Sequence, residues 1–332
     1  MPRVWTIPAY TGYPGLILSD EPEELPGPGE VRLRVQAFAL NWGDMDLMRD
    51  NYSFSFRRFP TRVGIEAAGV IDALGDEVTG WQVGDPVGTL PHFYWHRGVS
   101  GDQAIVDSRY IARTPPGLAA TEATSIWMQY LTAYYPLCEI TPVGKGSAVL
   151  ITAGTSTAGA AAIAIARARN ATVITTTRNP ANADWLHAIG ADHVLVTGHG
   201  PVAPQILSAT IGRGVDLAFD PVGAGLIGDY AAALAKGARI YFYGTLDTQA
   251  PALPLMQMFQ ANATFQPYSV FNYVEDDDAR ARGIDFVTKG IADGTLAPRV
   301  DRVFPMQGYR EAFDYLAAPR HAHGKVVIET GL

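Results

Sequence analysis

Between residues 148 and 243, short apolar runs alternate with segments that favour helix. The runs are mostly apolar, which is typical of strands covered by helices on both faces of a parallel sheet. The strand candidates are residues 148–152, 171–176, 193–196, 215–220 and 239–243. The helix candidates between them are residues 158–169, 182–189 and 226–234. This repeated β-α-β pattern predicts an α/β fold with a doubly wound parallel sheet.

Residues 1–110 carry a different pattern, in which short strand signals are separated by Gly and Pro. Residues 30–35 alternate polar and apolar side chains, as a half-buried strand does. Residues 69–75 and 83–87 are short strand candidates bounded by glycine or turn residues. We therefore predict a mostly antiparallel β domain in this part of the chain.

The change of pattern near residue 118 sets the predicted domain boundaries. Residues 119–137 predict one helix, and short strands return after about residue 290, with residues 324–328 as the last strand. The predicted domains are therefore a β domain at 1–120, completed by 290–332, and an inserted nucleotide-type domain at 121–289.

Composition limits the partners that this chain can bind. Its 332 residues are enough for about two domains. The 33 acidic and 25 basic side chains give a formal net charge of −8, which disfavours nucleic acid and anionic membranes as partners. Cys138 is the only cysteine, which excludes an intrachain disulfide. No apolar run reaches the roughly 18 residues of a membrane span, and the first residues lack a signal core, so we expect a soluble cytoplasmic protein.

A turn of small residues joins the first apolar strand to the helix that follows. Small side chains let the backbone approach a ligand, and the free N–H groups at a helix N-terminus attract a diphosphate. Ser156 and Thr157 stand where a dinucleotide turn usually has its central glycine. The alternative is an ordinary strand-to-helix turn. The candidate cofactor-binding residues here are Ala153, Ser156, Thr157, Ala158 and Gly159.

The end of the second strand indicates which dinucleotide binds. NAD-binding folds usually place an acidic residue here to hold the ribose 2′-hydroxyl, but no acid appears before Asp184. Thr177 and Arg178 stand there instead, and a guanidinium suits a 2′-phosphate. We therefore predict NADPH as the cofactor; the alternative is a surface arginine with no ligand.

Several motifs occur in an order and spacing that resemble the zinc-independent branch of the medium-chain dehydrogenase/reductase superfamily, the quinone oxidoreductase-like proteins. They lie at residues 41–44, 64–70, 84–85, 131–133, 153–159, 190–194 and 324–327. The resemblance covers essentially the whole chain. It implies a GroES-like catalytic domain, a Rossmann NADPH-binding domain, an active site in the cleft between them and a homodimer.

The same resemblance gives an expectation about metal. In zinc-dependent relatives the catalytic ligands are a cysteine, a histidine beside a glutamate, and a second cysteine. The matching positions here are Asn41, Ile65 and Met128, none of which supplies a thiolate or imidazole. Glu66 remains, but one carboxylate does not hold zinc. We therefore expect no metal site.

Without a metal, the resemblance implies reduction of an already polarised acceptor, either a quinone or the C=C bond of an α,β-unsaturated carbonyl. Negative charge then develops on oxygen and needs hydrogen-bond donors. Tyr52 matches a cleft tyrosine of quinone reductase relatives, and Asn41 and Asp44 complete the catalytic candidates. Aromatic residues, including Phe93, Trp127, Tyr130, Tyr268 and Phe271, favour a flat apolar small-molecule acceptor. The further cofactor-binding candidates are Thr132, Val222, Tyr243, Gly244, Thr245 and Lys325.

Two other functions stay open at this point. One is a zinc-free alcohol dehydrogenase-like carbonyl reductase, against which the absent zinc ligands weigh. The other is a non-enzymatic, crystallin-like nucleotide-binding protein. Arg178 and Asn41 argue against that purely structural role.

Overall fold

A computed structural model of the chain describes residues 1–198, 200–223, 225–250, 252–318 and 323–332. The chain divides into two compact units. The first unit comprises Met1–Met128 and Phe271–Leu332, and the second comprises Gln129–Val270. The divisions predicted from the sequence lie at 120/121 and 289/290.

Most of the regular structure of the first unit consists of short strands, and short strands also form the sheet of the second unit. In chain order, the strands among the described residues are β1 (Arg3–Ile7), β2 (Ile17–Asp20), β3 (Glu30–Ala39), β4 (Thr61–Arg62), β5 (Ala67–Leu74), β6 (Pro86–Thr89), β7 (Gln103–Asp107), β8 (Ile111–Arg113), β9 (Ala148–Ile151), β10 (Thr172–Thr177), β11 (His193–Val196), β12 (Val215–Asp220), β13 (Leu234–Phe242), β14 (Thr264–Pro267), β15 (Val300–Pro305) and β16 (Lys325–Glu329).

The helices are mostly short and lie between these strands. Over the same described ranges they are α1 (Trp42–Leu47), α2 (Ala120–Ala123), α3 (Trp127–Tyr134), α4 (Thr157–Ala168), α5 (Ala183–Ala188), α6 (Ala203–Ala209), α7 (Leu226–Tyr230), α8 (Leu255–Ala261), α9 (Phe271–Val274), α10 (Asp277–Ala292) and α11 (Tyr309–Ala317). No helix in the described part of the chain is both long enough and apolar enough to cross a membrane.

The second unit is built on a six-stranded sheet in the order β11-β10-β9-β12-β13-β14, and all of its strand pairs are parallel. Numbered from its own first strand, this is the 3-2-1-4-5-6 order of a Rossmann fold. Leu150, Ile174, Ala218 and Ile240 are fully buried in the core beside the sheet. The predicted doubly wound parallel sheet is confirmed, and its switch point lies between β9 and β12.

The first unit contains a seven-stranded sheet in the order β15-β16-β3-β5-β6-β8, with β7 also paired to β3. Its strand pairs are antiparallel except for β15 and β16. A small antiparallel sheet in the order β2-β1-β4 completes the unit. The prediction of a mostly antiparallel β domain is therefore confirmed.

The single helix predicted at 119–137 is wrong, because α2 ends at Ala123 and α3 begins only at Trp127. Ser125 donates a hydrogen bond from Oγ to the Thr121 carbonyl at 3.0 Å, the kind of local contact by which Ser and Thr compete with a helical backbone. After Tyr134 the chain widens into a π-helical turn, Tyr135–Ile140, in which Pro136 supplies no N–H.

Residues 271–292 belong to the first unit, and specific contacts explain why. The Glu275 carboxylate accepts a hydrogen bond from the Tyr110 hydroxyl at 2.9 Å, and its other oxygen lies 3.1 Å from His92 Nδ1. The His92 and Tyr110 rings stack at 3.7 Å. The predicted position 289/290 lies inside α10, which follows directly on these contacts.

Candidate functional site

The turn between β9 and α4 has the geometry that a diphosphate needs. Ser156 caps α4, because its Oγ accepts a hydrogen bond from the Gly159 N–H at 3.1 Å. Ala153, Thr157 and Ala158 are half-buried around it. The remaining N–H groups of the first turn and the helix dipole leave this end of α4 suited to an anion.

Close packing fixes the shape of this turn. A Cβ placed on Gly154 would lie 2.0 Å from Thr175 Oγ1, and one placed on Gly159 would lie 2.6 Å from the Ala153 carbonyl oxygen. The Ala153 N–H donates to Thr176 Oγ1 at 3.1 Å, which ties the turn to the end of β10. Glycine is therefore required at both positions, because any side chain there would clash with the neighbouring atoms.

Arg178 follows β10 and is exposed. Across the described ranges, no carboxylate lies within salt-bridge distance of its guanidinium. The buried Thr177 beside it accepts hydrogen bonds at Oγ1 from the Asn179 N–H and from Asn182 Nδ2. Hydrogen bonds therefore hold the end of β10 in place, and Arg178 at this end is an exposed cation without a salt-bridge partner among the described residues.

A buried carboxylate at the switch point is a feature that the sequence analysis missed. Asp220 ends β12, and its Oδ1 accepts hydrogen bonds from Thr152 Oγ1 at 2.6 Å and from the Val222 N–H at 2.8 Å. The Tyr230 hydroxyl donates to its Oδ2 at 3.0 Å. Asp220 therefore fixes the loop that carries Val222. The signal that could have revealed it was the aspartate at the last position of this strand.

The other predicted cofactor residues of the second unit lie on or after its strands and α3. The Tyr243 ring stacks on Phe219 at 4.0 Å, and burial raises the pKa of Tyr243. Gly244 packs closely on Pro221, since a Cβ placed on this glycine would lie 3.2 Å from the proline Cβ. Thr132 is buried in α3, and Thr245 is half-buried after β13.

In the first unit, two polar side chains meet around one buried ammonium. Lys325 Nζ lies 2.8 Å from Glu66 Oε2 and donates to Asn41 Oδ1 at 2.5 Å. The side chains of Lys325 and Glu66 are 2% and 1% exposed. Lys325 begins β16, Asn41 follows β3 and Glu66 precedes β5. Because β3 lies between β16 and β5 in the sheet, the three residues converge.

Two of the three positions that match zinc ligands in relatives, Asn41 and Met128, contact this centre. Asn41 binds the Lys325 ammonium, and the Met128 N–H donates to Glu66 Oε1 at 3.0 Å, while Ile65 is buried as an apolar residue. In the described part of the chain, no group of three or more His, Cys, Asp or Glu side chains is arranged to hold a metal ion. The buried pair is a hydrogen-bonded ion pair, in which each charge compensates the other.

Lys325 was predicted as a cofactor-binding residue, and its neighbours in the first unit are Asn41 and Glu66. Contact between Lys325 and a cofactor stays a prediction. Its pairing with Glu66 was missed because the two residues are far apart in the sequence and no local pattern links them.

Asp44 lies beside the same centre and is buried in α1. Its Oδ2 accepts a hydrogen bond from the Asn41 N–H at 2.8 Å, whereas its Oδ1 has no hydrogen-bond partner among the described residues. Burial raises the pKa of Asp44 to about 7, against the opposing effects of Asn41 and Lys325. Asp44 therefore orients Asn41, and it titrates near neutral pH.

Replacing Asp44 with Asn should change how stability depends on pH. The pKa of Asp44 in the folded protein is about 7, above the ordinary value of 3.8. The contribution of the protonated group to stability is therefore complete below about pH 4 and is lost as the pH rises through 7. The Asn variant keeps the acceptor for the Asn41 N–H but does not titrate. Between pH 4 and pH 8 it should gain on the order of 4 kcal/mol relative to the wild type, measured by urea unfolding at each pH. A difference that stays constant with pH would contradict this assignment.

Tyr52 packs next to α1 among aromatic residues. Its ring lies 5.7 Å from Phe54 and 5.9 Å from Phe271, both edge to face. A Cβ on Gly43 would lie 2.6 Å from the Tyr52 hydroxyl, so only glycine at that position allows this approach. Burial and the charges of Asp44 and Asp46 raise the pKa of Tyr52, which keeps its hydroxyl protonated as a donor.

The structure thus brings together three of the predicted residues in the first unit, Asn41, Asp44 and Lys325, with Tyr52 packed on the adjacent Gly43. Phe93 and Phe271, predicted as pocket aromatics, contact each other at 5.2 Å. Trp127, Tyr130 and Tyr268 are buried.

Two family models match the chain. The model described as alcohol dehydrogenase GroES-like domain matches residues 27–124, and the model described as zinc-binding dehydrogenase matches residues 158–289. The first lies within the β unit and the second begins in α4 of the parallel-sheet unit.

Curated relatives are much longer than this chain. A phthioceranic/hydroxyphthioceranic acid synthase of Mycobacterium bovis is 36% identical over 198 residues, which are 59% of this chain and 9% of that protein. A mycocerosic acid synthase-like polyketide synthase of Mycobacterium tuberculosis is 30% identical over 307 residues, which are 92% of this chain and 14% of that protein. The chain therefore matches a small part of each.

Solved structures share the fold over nearly the full chain. A quinone oxidoreductase of Pseudomonas syringae has a TM-score of 0.91 at 22% identity, covering 99% of this chain and 100% of the other. A mycobacterial protein complexed with NADPH has a TM-score of 0.90 at 24% identity, with the same coverage. The CurK enoyl reductase has a TM-score of 0.86 at 25% identity and covers 99% of both chains.

The matched models and the two folds define an oxidoreductase with a GroES-like domain and a Rossmann domain. The chain belongs to the medium-chain dehydrogenase/reductase superfamily.

Proposed function

We propose that this protein is an NADPH-dependent reductase of quinones or of the C=C bond of α,β-unsaturated carbonyls, acting without zinc. The observation that carries the proposal is the buried centre of Asn41, Glu66 and Lys325, in which Asn41, at one of the positions that match zinc ligands in relatives, binds the Lys325 ammonium. Oxidation of a simple alcohol needs a group that holds the alkoxide, commonly a metal. Reduction of a polarised acceptor needs only hydrogen-bond donors at the oxygen.

The residues of the second unit fit a dinucleotide. The narrow turn at Gly154 and Gly159 and the N-terminus of α4 suit a diphosphate, and Arg178 suits a 2′-phosphate. The mycobacterial protein that shares this fold was solved with NADPH. When bound, NADPH supplies the hydride for the reduction.

The protein's own residues have separate tasks in this proposal. Tyr52 donates a hydrogen bond to the acceptor oxygen as negative charge develops there. Lys325 holds the Asn41 carbonyl oxygen, so that the Asn41 amide has one orientation, with Nδ2 3.4 Å from Glu66 Oε2. Asp44 fixes the backbone of Asn41. These contacts preorganise the donors before the acceptor binds.

The functions of similar proteins support both acceptor classes. The Pseudomonas syringae protein is a quinone oxidoreductase, and the CurK protein is an enoyl reductase. The Mycobacterium relatives are polyketide synthases, of which this chain matches a small part. The aromatic surroundings of Tyr52 suit a flat acceptor of either class.

A panel of quinones, enones, enals and aldehydes, each with NADPH and with NADH, tests the proposed function. We expect turnover of quinones or enones with NADPH, and a saturated carbonyl as the product from an enone. An allylic alcohol as the product would favour the carbonyl reductase instead. Binding of NADPH without turnover of any acceptor would favour the crystallin-like alternative.

Replacing Arg178 with Ala should weaken NADPH use selectively. The lost charged hydrogen bond corresponds to about 1.5–3 kcal/mol, or a rise of about ten- to 150-fold in the KM for NADPH. The KM for NADH should change less than about twofold, since the 2′-hydroxyl carries no charge. Initial rates with each cofactor at a saturating acceptor measure both values. Equal KM values for NADPH and NADH in the wild type would refute the preference.

A further inference from the structure

The short helix α9 brings Phe271 to Tyr52. The Phe271 ring is buried and lies 5.9 Å from the Tyr52 ring, edge to face. The helix has only four residues, and a helix of this length is not stable by itself, because its first turn fixes several residues for one hydrogen bond. The position of Phe271 therefore depends on the contacts that α9 makes with the rest of the first unit.

Glu275, the residue directly after α9, makes such contacts through both its main chain and its side chain. Its N–H donates to the Phe271 carbonyl oxygen at 3.1 Å, which closes the turn. Its carboxylate accepts a hydrogen bond from the Tyr110 hydroxyl at 2.9 Å and lies 3.1 Å from His92 Nδ1. Because Glu275 is bonded to Phe271 itself, fixing its carboxylate also fixes the backbone that carries the Phe271 ring.

The contact with His92 requires a particular tautomer of the imidazole. An ionised carboxylate only accepts hydrogen bonds, so the Nδ1 that faces Glu275 carries the proton. Burial lowers the pKa of His92 more than the nearby Glu275 and Asp107 carboxylates raise it, so the contact at neutral pH is a hydrogen bond from a neutral ring. The His92 ring also stacks on Tyr110 at 3.7 Å, and the two donors to Glu275 therefore hold each other in place.

His92 links the Glu275 carboxylate to a second aromatic ring near Tyr52. Phe93 follows His92 directly in the chain, and its ring lies 5.2 Å from the Phe271 ring. The carboxylate of Glu275 therefore joins the segment that carries Phe93 to the segment that carries Phe271.

Arg280 provides a separate anchor for α9. Its Nη1 donates to the Val274 carbonyl oxygen at 2.8 Å, and its Cζ lies 5.3 Å from the centre of the Tyr110 ring. The Arg280 side chain is largely buried, so this anchor does not depend on the Glu275 carboxylate. Removing that carboxylate should therefore shift the Phe271 ring without releasing α9 from the first unit.

We propose that Glu275 is a positioning residue for the reduction and that it acts on Tyr52 through Phe271. This inference rests on the proposed function, in which the Tyr52 hydroxyl donates to the acceptor oxygen. A donor stabilises the developing charge only when it points at that oxygen, so a small displacement of the Tyr52 ring lowers kcat. The effect of Glu275 on the reaction passes entirely through this hydroxyl.

The test is a double-mutant cycle on kcat, measured with an enone or a quinone under saturating NADPH. Glu275→Ala should lower kcat by about three- to tenfold, which corresponds to the loss of one hydrogen bond to a charged group. In Tyr52→Phe no hydroxyl remains to be positioned, so adding Glu275→Ala should lower kcat by less than about 1.5-fold. Glu275→Gln keeps an oxygen acceptor and an amide for Tyr110 and His92, and it should retain at least about half of the wild-type kcat.

Asp314→Ala is the matched control. Asp314 is another acidic residue of the first unit that accepts a hydrogen bond from a tyrosine hydroxyl, that of Tyr13 at 2.9 Å. Its substitution should leave kcat unchanged both in the wild type and in Tyr52→Phe.

Tyr110→Phe gives a second test if Glu275→Ala does not fold. It removes one of the two side-chain contacts of Glu275 and keeps the ring that stacks on His92. It should lower kcat in the wild type but not in Tyr52→Phe.

Three results would overturn the positioning role while leaving the proposed reduction intact. They are an unchanged kcat in Glu275→Ala, a loss of equal size in the wild type and in Tyr52→Phe, and a loss in Glu275→Gln as large as in Glu275→Ala. Failure of the wild type to reduce any enone or quinone would instead contradict the proposed function.

Discussion

Lys325→Met should lower the free energy of unfolding by about 3–5 kcal/mol, because it leaves the buried Glu66 carboxylate without its ammonium partner. The two side chains are 2% and 1% exposed and 2.8 Å apart, so water does not replace the lost contact. The variant should also lose kcat, since the Asn41 amide loses the group that holds its oxygen. Urea unfolding at pH 7 measures the loss of stability.

The matched control for this variant is Lys325→Met/Glu66→Gln. The glutamine keeps an acceptor for the Met128 N–H but carries no charge. The double variant should therefore recover most of the stability, while the loss of kcat remains because Asn41 is still unsupported. If Lys325→Met costs less than about 1 kcal/mol, the buried pair does not form as described.

Tyr52→Phe should lower kcat by about 10²–10³-fold with a much smaller change in acceptor binding. The hydroxyl stabilises the negative charge that develops on the acceptor oxygen more than it stabilises the neutral carbonyl of the bound acceptor. The phenylalanine ring keeps the edge-to-face contacts with Phe54 and Phe271, so the fold around it is preserved. Steady-state rates with an enone or a quinone under saturating NADPH measure kcat and KM separately.

Two comparisons make the Tyr52 result specific. Tyr13→Phe removes a tyrosine hydroxyl of the same unit that has no part in the proposed reaction. This hydroxyl donates a hydrogen bond to Asp314 Oδ1 at 2.9 Å, and its loss should leave kcat unchanged. Gly43→Ala should reduce kcat as well, since its Cβ would lie 2.6 Å from the Tyr52 hydroxyl and displace the ring. An unchanged kcat in Tyr52→Phe would remove this hydroxyl from the reaction.

Local patterns predicted the features that depend on neighbours in sequence. The apolar runs predicted the parallel sheet because a strand buried on both faces must be apolar throughout. The small residues between β9 and α4 predicted the narrow turn, and the cap that Ser156 forms is likewise a local contact. The cationic end of β10 was also predicted from a local pattern, because Arg178 stands there and no acidic residue follows before Asp184. Where local reasoning failed, as at residues 119–137, side-chain contacts from Ser125 and the missing N–H of Pro136 override helix-forming composition.

The sequence by itself therefore determined the class of fold, the nucleotide-type turn and the cationic end of β10, all of which are encoded within short segments. Only the tertiary structure decided the partners of Lys325. The pairing of β16, β3 and β5 in one sheet brings Lys325 next to Asn41 and Glu66, which lie at the ends of these strands. It also decided the role of Asp220, whose carboxylate accepts hydrogen bonds from Thr152 and Tyr230. The physical reason is that charge pairing and ring packing depend on distances in space, which strand order sets and which no local period in the sequence records.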